Sequence, residues 1–135
     1  MYPHLRIVRP VTDLARAMEM YTRGLGLSRL GNFRDHEGFD GEMMGSVGAG
    51  FHFELVVSRH HPVQPSPTNE DLIVLYLPDT IEWTRRCQEM IDAGFKEVES
   101  FNPYWAERGR TFQDSDGYRV VIECAEWRGS MSEGG

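Results

Sequence analysis

The chain has 135 residues, a net charge of -7 and an apolar fraction of 40%. That is the size and composition of one ordinary globular domain, able to bury roughly two-thirds of its unfolded surface, and not of a disordered segment. The acidic balance disfavours nonspecific nucleic-acid binding, no run approaches the ~18 apolar residues of a membrane span, and residues 1–20 lack the apolar stretch of a secretory leader.

In chain order, His4 to Val11 reads as a strand, and Thr12 or Asp13 as the cap of a helix. Leu14, Ala17, Met18, Tyr21 and Leu25 recur at helical spacing, and Gly24 and Gly26 end the helix. Leu27 to Phe33 and Glu42 to Val47 read as strands across a polar loop, Arg34 to Gly41. Gly48, Ala49 and Gly50 turn the chain into an alternating strand, Phe51 to Val57. His60 to Asn69 is a proline-interrupted linker. Its adjacent histidines, His60 and His61, read as solvated, because metal capture needs convergent ligands.

After the linker, Leu72 to Leu77 is a strand, and Asp79 or Thr80 caps a helix with Trp83, Cys87, Met90, Ile91 and Gly94 inward. Phe95 to Val98, Arg110 to Gln113 and Tyr118 to Ala125 read as strands, with a tight turn at Asp114 to Gly117. The tail beyond Trp127 is rich in Gly and Ser and is expected to fray. Cys87 and Cys124 fall on apolar faces and read as buried free thiols, which fits a reducing cytoplasm.

The two halves repeat. Asp13 to Asp79 is 66 residues, Gly26 to Gly94 is 68, and Glu54 to Val121 is 67. A β-α-β-β-β unit stated twice predicts an α+β domain with internal pseudo-symmetry. Its parts are module one (residues 3–58), a linker (59–69), module two (70–127) and a tail (128–135).

Strand side chains alternate between faces. From Phe51 to Val57 the odd positions are all apolar and form the core face. On the last strand Val120, Ile122 and Cys124 read as core, while Arg119, Val121 and Glu123 do not. The non-core face therefore mixes Arg6, His52, Glu54, Tyr76, Arg119 and Glu123 with Val8, Val56, Leu72, Val74 and Val121. A half-apolar surface with a few polar groups suits a small-molecule pocket, and a face buried against a dimer partner has a similar mixture. Tyr104 and Trp105, adjacent on the segment Asn102 to Arg110, are candidates for stacking on a planar ligand, with Arg108 and Arg110 offering charge. Packing of Trp105 into the core is the competing reading. Phe33, Phe39 and Trp127 are further candidate lining groups.

Four segments, Arg9 to Leu30, Phe51 to Val57, Leu72 to Asp79 and Phe112 to Glu123, resemble the vicinal oxygen chelate superfamily. That superfamily holds glyoxalase I, bleomycin- and fosfomycin-resistance proteins and extradiol dioxygenases, and the resemblance is nearest an uncharacterised bacterial glyoxalase-like branch. It implies two tandem βαβββ modules forming a U-shaped, eight-stranded half-barrel around a cavity with the helices outside, and homodimers. It also implies four metal-ligand positions, which fall here on Arg6, Glu54, Leu72 (or Ile73) and Val121. Only Glu54 is of a ligand type, since arginine stays protonated and lacks a lone pair for a cation. Arg6 and Glu54 are expected to neutralise each other as a bidentate pair in the metal's place.

The expectation is a protein that binds a small organic molecule without metal or cofactor. Arg6, His52, Glu54, Tyr76, Tyr104, Trp105, Arg119 and Glu123 are its candidate binding residues. Two alternatives stay open. One is a metal-dependent lyase or dioxygenase using a displaced divalent site of His52, Glu54 and Glu123. The other is a metal-free enzyme with Glu54, Glu123 or His52 as acid–base catalyst. No nucleic-acid or membrane partner is expected.

Overall fold

The computed structural model describes residues 1–129, so most of the expected tail lies outside the described residues. The chain forms two compact units, Met1–Ser66 and the residues from Pro67 onward, so that their boundary falls inside the proline-rich linker. Each unit is a βαβββ module. Module one contains β1 (Leu5–Pro10), α1 (Leu14–Leu25), β2 (Ser28–His36), β3 (Phe39–Gly45) and β4 (Phe51–Ser58). Module two contains β5 (Leu72–Tyr76), α2 (Thr80–Asp92), β6 (Lys96–Val98), β7 (Gly109–Gln113) and β8 (Arg119–Glu123). The strand orders are β1-β4-β3-β2 and β5-β8-β7-β6. In each sheet the first strand runs parallel to the last and the other pairs are antiparallel.

Helix α1 starts where the sequence places it, because the Asp13 carboxylate accepts the Arg16 amide at 3.0 Å. It ends at Gly26, whose φ of 69° is costly for other residues. It buries Ala17, Met20, Tyr21, Gly24 and Leu25, so Met20 joins the expected stripe and Met18 is only half-buried. On α2, Cys87 and Met90 are fully buried, whereas Ile91 lies open to solvent, against expectation. One position beyond Met90 turns it by about 100°, off the inner face. Both cysteines are free; Cys87 is buried and Cys124 half-buried.

The expected loop from Arg34 to Gly41 is instead a hairpin. β2 runs on to His36 and β3 begins at Phe39, leaving Glu37 and Gly38 as the turn, with φ of 51° and 87°. Positive φ at both turn residues matches the twist of the flanking strands. The Arg34 guanidinium pins the hairpin by donating to the carbonyls of Phe33 and Gly41. The Asp40 carboxylate accepts the Asp35 amide at 2.8 Å.

A second difference concerns β8. Val120, Val121, Ile122 and Glu123 are all buried, so both of its faces are covered rather than one. The turn that feeds it is as expected: Asp114 accepts the amides of Asp116 and Tyr118, each at 2.9 Å, and Gly117 takes a φ of 97°. Strand β1 departs the other way, with Leu5 56% and Val8 53% exposed. Among the described residues no helix is long and apolar enough to cross a membrane.

Candidate functional site

Module one assembles its polar cluster across the β1–β4 pair. The parallel register sets Arg6 opposite His52 and Val8 opposite Glu54. Even-numbered residues on both strands share one face. Arg6 Nε donates to His52 Nε2 at 2.8 Å, and an Arg6 terminal nitrogen donates to Glu54 Oε1 at 3.1 Å. The two expected partners are therefore together, but by a single contact. The other edge of the guanidinium is given to His52, so the pair is not bidentate. His52 Nδ1 in turn lies 2.6 Å from His4 Nε2.

Donor accounting fixes the protons. Arginine carries only donors, so His52 Nε2 must accept. The His52 proton then sits on Nδ1 and is donated to His4. Burial, followed by repulsion from Arg6 and from His4 whenever it is protonated, holds the His52 pKa below the ordinary histidine value, and Glu54 does not offset them. The folded chain therefore binds fewer protons than the unfolded chain just below the ordinary value. Its stability rises with pH through that window. Melting temperature is expected to drop as pH falls below about 6.5, and His52→Gln should flatten that part of the profile in thermal melts. His4 went unmarked as a site residue in the sequence, although it shares a strand face with Arg6.

Module two holds the other cluster. Tyr76, Tyr104, Glu107, Arg108, Glu123, Ala125 and Glu126 line a cavity of about 210 Å³. Tyr76 stands opposite Glu123 in the β5–β8 register. Tyr104 lies on a 3-10 turn, Pro103–Ala106, that Asn102 caps by accepting the Tyr104 amide at 3.0 Å. Glu123 is 4% exposed, and its Oε2 has no hydrogen-bond partner. Burial, first, and the Glu107 charge push its carboxyl above the usual range, while Arg108 pulls the other way. Gly109 makes room for this carboxyl: a Cβ there would stand 1.7 Å from Glu123 Oε2.

The remaining candidates lie elsewhere. Trp105 packs edge-on against Tyr104, ring centres 4.9 Å apart, and does not line the cavity. Arg119 Nε donates to Gln113 at 3.2 Å. Arg110 is held by both oxygens of Glu97 and lies over the rings of Trp83 and Phe112, so it is used within the module. Phe39 borders a separate, apolar cavity of about 410 Å³ in module one, with Pro10, Val56, Pro62 and Val63. Phe33 covers Gly41, and Trp127 is exposed. Glu107 and Glu126 were not singled out in the sequence, where acidic residues near chain turns look merely solvated.

Two tandem modules of this topology place the protein in the glyoxalase-like fold of the vicinal oxygen chelate superfamily. Glyoxalase I from Leishmania major shares the fold at a TM-score of 0.67 and 16% identity, over 87% of this chain and 83% of that one. TnmS3, an antibiotic-binding protein from Streptomyces sp. CB03234, shares it at a TM-score of 0.61 and 21% identity, over 87% and 91%. The family models for the YycE-like N-terminal and C-terminal domains match residues 5–56 and 70–123, and the chain belongs to that family. The uncharacterized protein YycE of Bacillus subtilis (strain 168) is 38% identical over 118 residues, 87% of this chain and 85% of its own. The crystal structure of a YycE protein of unknown function from Bacillus subtilis superposes at a TM-score of 0.88 with 34% identity, covering 95% of this chain and 93% of the other.

Proposed function

We propose that this chain binds a small organic molecule without the help of a metal ion. The contact of Arg6 with Glu54 carries the reading. Of the four positions where metal-dependent relatives keep their ligands, only Glu54 bears a suitable side chain, and a guanidinium already holds it. Among the described residues no three His, Cys, Asp or Glu side chains are grouped to hold a metal ion. Catalytic metal sites use about three protein ligands. The antibiotic-binding neighbour lends support by fold alone.

Purified protein should carry less than about a tenth of an equivalent of Ni, Zn, Mn or Fe. In EDTA, its Tm should rise with at least one compound of a broad organic panel. A stoichiometric transition metal, or a panel without one stabilising compound, overturns the reading. A homodimer belongs to the same proposal and is checked by sedimentation velocity.

One observation favours a metal-free acid–base enzyme instead. The raised pKa of Glu123 suits a general acid or base. In that case Glu123→Gln would abolish turnover of a discovered substrate.

A further inference from the structure

Resting on the small-molecule reading, we infer that the module-two cavity seats the protonated amine of an organic ligand, with Glu123 as its counter-ion. Glu123 is nine-tenths or more buried and lines the cavity, and its Oε2, packed beside Gly109, has no hydrogen-bond partner, so that a turn of the carboxyl would offer this oxygen to a guest. A buried acceptor left unmet costs stability, so its retention needs a reason. Among the described residues, Glu107 and Glu126 line the same cavity, and Arg108 is its one cationic lining group. Three carboxyls and one guanidinium leave it acidic when all are ionised.

The other walls agree with a cation. Tyr76 and Tyr104 line the cavity, and tyrosine rings attract ammonium groups through their faces. Volume limits what enters. At about 210 Å³ the space is smaller than the roughly 300–1,000 Å³ that encloses a drug-sized ligand. It fits a head group and leaves the rest of the molecule outside. The direction of the Glu123 pKa is in keeping with this: a carboxyl that lacks its counter-ion titrates high, and an arriving ammonium would favour its charged form. Gly109 leaves room for the carboxyl itself, since a Cβ there would stand 1.7 Å from Oε2.

n-Butylammonium chloride is the probe, with butanol and sodium butyrate as size-matched controls. In an amide NMR titration of the full chain, butylammonium should shift residues 104–108 and 123 with a Kd on the order of millimolar, as expected of so small a ligand. Glu123→Gln should weaken it about tenfold or more, the loss of one charge-assisted hydrogen bond. Tyr104→Leu, which keeps bulk and removes the ring, should also weaken it and serves if the first variant misfolds.

Equal shifts with butanol or butyrate, or an undiminished Kd in both variants, overturn the proposal. If butylammonium fails while another compound stabilises the metal-free protein, the amine assignment falls and the small-molecule reading stands. If butylammonium binds and the protein also carries a stoichiometric metal, the metal-free reading falls and the amine site stands.

Discussion

Gly109→Ala is expected to destabilise the protein by about 1–3 kcal/mol, the usual cost of forcing one extra carbon into a filled space. The added Cβ would stand 1.7 Å from Glu123 Oε2 and 2.9 Å from the Ile122 carbonyl. The first contact can be relieved by swinging the carboxylate away, but Glu123 is almost fully buried and has little room. The second involves the backbone of β8 and cannot be relieved by a rotamer. Gly109 lies opposite Glu123 in the β7–β8 register, so both strands feel the change. Chemical denaturation gives the size of the loss. Combining Gly109→Ala with Glu123→Ala should recover part of it, because the carboxylate clash is gone while the carbonyl contact stays. Strict additivity of the two changes would show that the clash is not the cause.

Glu42→Ala should cost about 3 kcal/mol, near the low end for breaking a buried ion pair. Glu42 is 1% exposed and takes both oxygens to Arg29 at 2.9 Å each, and Arg34 also donates to it. Removing it leaves two guanidinia facing a small void. Arg29 and Arg34 are each about half exposed and keep contact with water, which holds the loss below the upper end of the range. Burial pushes the Glu42 carboxyl up, but the hydrogen bonds from Arg29 and then Arg34 outweigh it and its pKa ends below the ordinary value. A carboxyl held low stabilises the fold above the ordinary carboxylate pKa and loses that contribution as pH falls through the folded value. Acid melts of the wild type should therefore show a loss at low pH that Glu42→Ala lacks. Parallel curves for the two proteins would contradict this account.

The module plan was legible because it rests on local signals. Asp13 caps α1, Gly26 ends it, and the Asp114 turn reverses the chain, each by a mechanism that acts within a few residues. The meeting of Arg6 with Glu54 was also legible, since period-two alternation and a parallel register fix which side chains share a face. Its form was not: one strand's alternation does not say that His52 takes the second edge of the guanidinium.

The hairpin of β2 and β3 was hidden by its acidic, Gly-rich composition, which reads as loop until the two positive φ angles are known. Both faces of β8 are buried, which the alternation of one strand does not reveal, so Val121 and Glu123 looked open. The unmet oxygen of Glu123 depends on a missing side chain at Gly109, and an absence leaves no pattern to read. Tyr104 and Trp105 are neighbours in the sequence, and only the structure shows that Tyr104 lines the cavity while Trp105 packs edge-on against it.

The duplication has a consequence for how the halves can be exchanged. Adding the 67-residue offset to Glu54 gives Val121, so the acid of the second half stands two places further along its strand, at Glu123. One copy has committed its carboxylate to an internal arginine, and the other has kept its own unspoken for. A chimera made of two first halves would duplicate the paired acid and lose the unpaired one, and one made of two second halves would do the reverse. The two copies of the repeat thus differ in what their carboxylate meets.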